Sequence, residues 1–470
     1  MNRGAEDSSG LEQALHAADE HEREPVPEKA LKGPAKFWGM YAGEHTAGTE
    51  FMIGPMFLAG GVGVFDLFAG LLLGNLLAVL SWRFVCAPVA TRTRLTLYAQ
   101  LERIAGRRVV ALYNLANGIL FCFLAGAMIT VSATAVVPAL QGVGIPLEVR
   151  QPTLQDLMPT GVSWVVIVLL LGAVIAVVAA RGYDSVARVA NLAAPWMILI
   201  FIACAVVTLP KLDARSAAEI WKGSEPLAGS VKLTFWHVLI FAWCCNAAMH
   251  LGMSDMSVLR YARKASYGWA SAAGMYLGHF LAWISASILF ALEVQRNPES
   301  PANAPGPMVE NAVGFAGLVC VIVAGWTTAN PTIYRAGLAF QGIFPRSSRA
   351  WMTLLAGGVA TVAGVFPAVA MRLLDFVGIY GTILAPAGAI VFLNHWAGER
   401  WGLMRDYAAT TGAALNPAVL AAWLIPVGFC LVDFVWTHWV WPPFLAVPAW
   451  LAAGLLYLTA SKRLPRRSML

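Results

Sequence analysis

Two stretches of this sequence place ionisable and hydrogen-bonding residues where apolar ones are otherwise continuous. The first is Gly43-Glu44-His45-Thr46-Ala47-Gly48-Thr49-Glu50, followed by Pro55. The second is Cys245-Asn246-Ala247-Ala248-Met249-His250-Leu251-Gly252-Met253-Ser254-Asp255. Both fall within runs long enough to cross a bilayer, where ionisable groups cost several kcal/mol unless they face a cavity or a partner. Glycine among them weakens the helix, and unwound backbone is tolerated there only where it is buried in protein or lines water. The chemistry open to such segments is binding, by freed carbonyls and polar side chains, of a small polar solute or an ion. Glu44 can persist at that depth as a neutral acid, paired with His45 or His250, or opposite a cationic solute or coupling ion. The alternative is that Glu44 and Glu50 pair with other residues as structural glue, or sit nearer the membrane interface. His237, His279 and His438 sit near span ends or on mostly apolar helices, where core or interface roles are expected.

A third stretch reads Val323-Ala324-Gly325-Trp326-Thr327-Thr328-Ala329-Asn330-Pro331, then Tyr334-Arg335-Ala336-Gly337-Leu338. Adjacent threonine hydroxyls are hard oxygen ligands, and Ala324 precedes Thr327 by nearly one helical turn. Such a pair with freed carbonyls suits a small alkali cation. The alternative is that each hydroxyl bonds the carbonyl one turn back.

The elements that must position these residues follow from composition. Of 470 residues 59% are apolar and 12% charged, with mean hydropathy +0.66, whereas soluble domains carry about 25% charge. A polytopic, all-α membrane protein is expected, with apolar runs near 37–59, 64–86, 109–137, 162–180, 189–209, 233–256, 268–292, 312–330, 351–367, 374–394, 417–437 and 441–460. That makes twelve spans. The net charge of +6 does not point to nucleic acid, because basic loops belong on the cytoplasmic face. With both termini inside, 25 of the 32 Lys and Arg fall on inner segments, as the positive-inside rule requires. An inner, plasma-membrane location with both termini cytoplasmic is therefore expected.

Residues 1–32, rich in Glu and Asp, read as a disordered cytosolic tail. The stretch 90–108, with Leu95, Leu97, Leu101 and Ile104 among arginines, reads as an amphipathic connector on the membrane surface. The seven cysteines lie in or beside apolar runs without metal-site spacing and read as small buried hydrophobes. There is no HExxH, no GxSxG and no clustered His/Asp set, which argues against an enzyme. Polarity gathered at two interrupted helices, rather than in repeated rings, argues against a channel. Those two helices lie five spans apart, as a five-plus-five inverted repeat would place them around a midplane site.

Taken together, several segments resemble the nucleobase–cation symport family 1, the purine/cytosine permease-like group. They are Gly33-Pro34, Asp66 with Gly74-Asn75-Leu76-Leu77, the run Asp255-Met256-Ser257-Val258-Leu259-Arg260-Tyr261-Ala262-Arg263, and Trp326-Thr327-Thr328 with Asn330, Tyr334 and Gly337-Leu338. Ala385-Pro386-Ala387-Gly388-Ala389-Ile390 completes the set. The resemblance runs from about Gly33 to Trp396 and more weakly beyond. It implies a LeuT-type ten-helix inverted repeat over 33–396, with two additional helices in 397–470. It also implies a secondary active symporter with sodium as coupling ion and no other cofactor. By position, the sodium ligands would be carbonyls of Gly43, Thr46 and Ala324 and hydroxyls of Thr327 and Thr328.

The family sandwiches a flat heterocycle between aromatic side chains of its third and sixth helices. Here Gly118 holds the first position, with Phe121 one turn away, and Asn246 holds the second, with Trp243 one turn earlier. Asn330 is displaced by Ala329 from the family's asparagine, and Glu44 and His45 have no counterpart. With Ala47 and His250, these residues form the expected solute site. A small nitrogen-containing solute, a nucleobase or related heterocycle, is the leading expectation. A proton-coupled carrier of another amine or vitamin-like solute and a transporter-derived sensor are the alternatives. The partners expected are the solute and the bilayer; oligomeric state is not legible.

Overall fold

The computed structural model describes residues 21–145, 150, 156–299, 301, 304–371, 373–398 and 400–463. Nine helices among these are long and apolar enough to cross a membrane. Shorter helices occupy the remaining three places expected from the sequence, 37–59, 233–256 and 351–367. Two of the three are the interrupted ones.

The first span begins as α1 (Pro34–His45) and resumes as α2 (Glu50–Ala59). There follow α3 (Val64–Ser81), the short amphipathic α4 (Leu97–Ala105), α5 (Arg107–Gly142), α6 (Val162–Ala180) and α7 (Tyr183–Thr208). Next come α8 (Phe235–Cys244) and α9 (Leu281–Arg296), the latter entered through a wider π-helical segment at Ala273–Phe280. The chain closes with α10 (Phe315–Ile343), α11 (Arg349–Gly364), α12 (Leu373–Ala397), α13 (Pro417–Val432) and α14 (Ala446–Ser461).

Polarity is inverted relative to a water-soluble protein. Phe65, Leu72, Val162, Leu192 and Phe429 face outward, while Glu44, Asp255, Arg260 and Arg335 are buried. That arrangement suits a lipid exterior, where the outer helix faces need no water. The connector behaves as its periodicity predicts: Leu97, Tyr98, Leu101 and Ile104 form the buried face of α4.

The helices pack as two sets. In one, α10 lies along α5, and α11 packs on α5, α6 and α10. In the other, α8 packs on α3, α9 on α2, and α1 on the π-helical segment. Helix α7 touches both sets, and α12, α13 and α14 pack together at the side. Glycine permits the closest approaches within the second set. A Cβ on Gly278 would stand 2.2 Å from the His45 carbonyl oxygen, and one on Gly54 would stand 2.5 Å from that of Trp283. Such contacts leave no room for the helices of the first and seventh spans to slide on one another.

Two expectations need correction. Residues 1–20 lie outside the described residues, but 21–32 are packed against the body, with Val26 and Leu31 buried. Arg260 donates to the His21 carbonyl at 2.6 Å, the Val26 N–H to the Arg94 carbonyl at 3.0 Å, and Glu22 pairs with Arg349 at 3.4 Å. Specific ion pairs and main-chain bonds hold this stretch where its polarity suggested disorder. The eighth span also continues past Pro331, so Arg335 stands within α10 rather than in a cytoplasmic loop.

Candidate functional site

Helix α1 ends where Thr46 leaves helical backbone and its hydroxyl turns back to the Ala42 carbonyl. The chain recovers at α2, whose first N–H, from Glu50, donates to the Ala47 carbonyl at 3.2 Å. Gly48 allows the break to lie against the other helix set: a Cβ there would meet Val131 Cγ1 at 2.7 Å and the Gly325 nitrogen at 3.2 Å. Helix α8 ends at Cys244, and Asn246 adopts a non-helical conformation before one turn at Ala247–His250. Tyr380 of α12 donates its hydroxyl to the Cys245 carbonyl at 3.1 Å, satisfying one group the break frees. Phe121 packs edge-on against that tyrosine, with ring centroids 6.3 Å apart.

Thr328 Oγ1 donates to the Glu44 carbonyl at 2.8 Å and is 3.2 Å from the Ala324 carbonyl; Thr327 Oγ1 is 3.1 Å from the same Ala324 oxygen. Two hydroxyls and two carbonyls thus converge where the first span breaks. The carbonyl of the first span in contact is that of Glu44, between the expected Gly43 and Thr46. Gly43 itself packs on α7, a Cβ there falling 2.6 Å from the Ala190 oxygen.

The Glu44 carboxylate does not face an imidazole. Arg335 grips it with both terminal nitrogens, at 2.5 and 3.1 Å, and also donates to Asp255 Oδ1. The second oxygen of Asp255 accepts from Tyr41 at 2.8 Å and from Trp82 Nε1 at 2.6 Å. All three ionic side chains are buried, and charge-assisted, partly bidentate bonding is what can hold them there. The cluster ties α1 and the exit of the sixth span to α10, across the boundary between the two helix sets. Both oxygens of Glu44 are thus engaged by Arg335. Arg335 escaped the sequence reading because Pro331 looked like a helix end. Its signal was its spacing: seven residues beyond Thr328, it shares that residue's helix face.

A second cluster lies on the far side of the break. Asn246 Nδ2 is 3.5 Å from His45 Nδ1 and 3.3 Å from His279 Nε2. His279 Nε2 is 3.7 Å from Glu50, which also accepts from Trp283 Nε1. His279 stacks on Trp283, with centroids 4.4 Å apart and planes inclined 15°. A lone histidine on an apolar span gave no sequence signal; it stands in the last turn of the π-helical segment, which turns it inward, and such segments often occur at functional positions.

The remaining expected residues are placed elsewhere. Gly118 packs under Phe340, 2.4 Å from a Cβ position. The Trp243 indole donates to Ser81 on α3 at 3.0 Å. His250 bonds the Trp243 carbonyl at 2.9 Å and packs on Trp82. In the amide orientation that satisfies both groups, Asn330 bonds the Ile175 carbonyl at 3.0 Å and Trp326 Nε1 at 2.9 Å, on the side of α6. The residues around the breaks are therefore the buried Glu44, His45, Ala47 and Phe121 and the half-buried Asn246, joined by the buried Glu50, His279 and Tyr380.

No protein-family model matches the chain, and no curated protein matches it in sequence. Solved structures do. Mhp1, a nucleobase-cation-symport-1 family transporter in a closed conformation with bromovinylhydantoin bound, superposes with a TM-score of 0.72 at 14% identity, covering 95% of each chain. Its inward-facing conformation gives 0.68 at 14% identity over 94% of each. A Na+-coupled sialic acid symporter, in a substrate-bound outward-open state, gives 0.65 at 14% identity over 95% of this chain and 92% of the other. These neighbours are transporters, and the chain has their fold, the LeuT fold implied by its motifs.

Proposed function

We propose that the protein is a sodium-coupled symporter that imports a small polar, nitrogen-containing solute, with nucleobases and related heterocycles the leading class. One observation carries the sodium assignment: the Thr327 and Thr328 hydroxyls share the Ala324 carbonyl, and Thr328 also reaches the Glu44 carbonyl at the end of α1. In this reading a cation there bridges the two helix sets. The solute would lie among Asn246, His45 and Phe121, where an amide and an imidazole can serve the donors and acceptors of a heterocycle edge. One neighbour has bromovinylhydantoin bound and another is a Na+-coupled sialic acid symporter in a substrate-bound state. We further propose that 33–396 forms the transport core, that twelve crossings put both termini in the cytoplasm, and that the host membrane is the plasma membrane.

Thermal unfolding of the purified protein tests this reading. A ligand that binds only the folded state raises the melting temperature in proportion to the logarithm of its concentration over its Kd. Uracil, cytosine, hydantoin, thiamine, amines and amino acids would each be added in sodium chloride and in potassium chloride. The expected result is stabilisation by sodium over potassium, enlarged by one heterocycle. Equal melting temperatures in the two salts would contradict the sodium assignment. Stabilisation by a solute in either salt alike would favour proton coupling.

A further inference from the structure

We propose that Glu50 and His279 form a proton-binding site, separate from the sodium position, in which the two side chains hold a single proton between them. Glu50 opens α2, immediately after the break, and is buried. Its partners are an indole N–H from Trp283, the backbone N–H of Ala47 and the His279 ring at 3.7 Å. No Lys or Arg among the described residues pairs with it, in contrast to Glu44, whose carboxylate is held by Arg335. A carboxylate in a water-poor interior costs several kcal/mol, more than two neutral N–H bonds of about 1 kcal/mol each return. A carboxylic acid beside a neutral imidazole is uncharged, and a carboxylate beside an imidazolium is a neutral pair. Each arrangement contains one proton. Losing it leaves a buried negative charge, and adding a second leaves a buried positive one.

The surroundings can serve both arrangements. Asn246 lies 3.3 Å from His279 Nε2, and its amide can donate to a neutral ring or, turned over, accept from a protonated one. Cys245 Sγ stands 3.9 Å from Nδ1 on the other side of the ring. The other titratable or charged groups facing the pair are His45 on the first span and His250 on the sixth. From the side, Tyr380 reaches the Cys245 carbonyl rather than the pair itself. None of these supplies a fixed positive charge.

Position separates this site from the sodium position. Glu50 and His279 belong to the first and seventh spans, locked together by the close glycine contacts at Gly54 and Gly278, and Asn246 to the sixth span of the same set. The threonine hydroxyls stand on α10 of the opposite set, whereas Glu50 and His279 stand on one set. The proposal stands whichever cation or solute the threonines and the heterocycle site take.

Infrared difference spectra of the purified full-length protein between acid and alkaline buffer provide the test, with the proton itself as the ligand. Wild type, Glu50→Gln and His279→Gln would be compared after melting curves confirm that each is folded. In wild type the pair should release about one proton in a single coupled step, seen as carboxylic-acid and imidazole bands changing with one midpoint. Glu50→Gln should abolish the carboxyl component and move the midpoint of the imidazole component. His279→Gln should abolish the imidazole component and move the midpoint of the carboxyl component. If Glu50→Gln does not fold, His279→Gln alone decides, by whether the carboxyl midpoint moves. Titrating bands unchanged in the folded variants, or components that titrate independently, would overturn the proposal. Because no sodium or solute is varied, this outcome is read separately from the symport assignment.

Discussion

Arg335→Ala should remove most of the protein from the membrane fraction, and whatever can be purified should melt far below wild type. The substitution strands two carboxylates, Glu44 and Asp255, that share one guanidinium in a fully buried site. Removing one partner of a buried ion pair costs about 3–5 kcal/mol because the remaining charge is left uncompensated. Set against a typical folding stability of about 5–15 kcal/mol, that loss is a large share of the whole. Glu44→Gln should behave differently. It leaves Arg335 with Asp255, a one-to-one pair still supported by Tyr41 and Trp82, and an amide oxygen can still accept from the guanidinium. Its melting temperature should fall much less than that of Arg335→Ala. Equal losses in the two variants would show that hydrogen-bond geometry, not charge balance, holds the cluster. Solute selectivity should survive Glu44→Gln, since the carboxylate is engaged with Arg335.

Thr328→Ala should cut sodium affinity by about tenfold to a hundredfold, the equivalent of one hydrogen bond or ligand contact to a charged group. Thr328→Ser, which keeps the hydroxyl, should restore most of it. Thr327→Ala should weaken sodium binding in the same direction. Fold and expression should stay near normal, because the lost bonds to the Glu44 and Ala324 carbonyls are neutral ones worth about 1 kcal/mol. Binding is coupled reciprocally, so each variant should weaken the sodium enhancement of solute affinity by the same factor as the solute enhancement of sodium affinity. Sodium titrations of melting temperature, with and without solute, measure both. Wild-type sodium dependence in Thr328→Ala would remove the hydroxyl from the site.

The membrane fold and the two interrupted helices were legible because bilayer depth makes polarity conspicuous. An unbroken apolar run must cross, and Glu44 or Asn246 within one must have a reason to be there. The threonine pair was legible for the same reason. Partners contributed by distant spans were not. Arg335 could be joined to Glu44 only once α10 was seen to run through Pro331, and a proline inside a membrane helix is tolerated when neighbours re-satisfy the freed groups. His279 carries no local pattern, and the π-helical segment that turns it toward Glu50 has no period that apolar spacing reveals. At the positions of the family's aromatic sandwich, Gly118 packs against the ring of Phe340 and the Trp243 indole donates to Ser81, contacts that lie on distant spans and carry no local pattern. The stretch 21–32 misled because net polarity was read without the specific counter-groups, Arg260 and Arg349, that hold it.

Sodium-driven uptake tests the central claim most directly. The protein would be reconstituted into liposomes and supplied with the radiolabelled solute that most raises its melting temperature. The account predicts accumulation above the outside concentration when sodium is imposed outside, and collapse to equilibrium when a sodium ionophore dissipates the gradient. Accumulation unaffected by the sodium gradient, or binding without any flux, would contradict it.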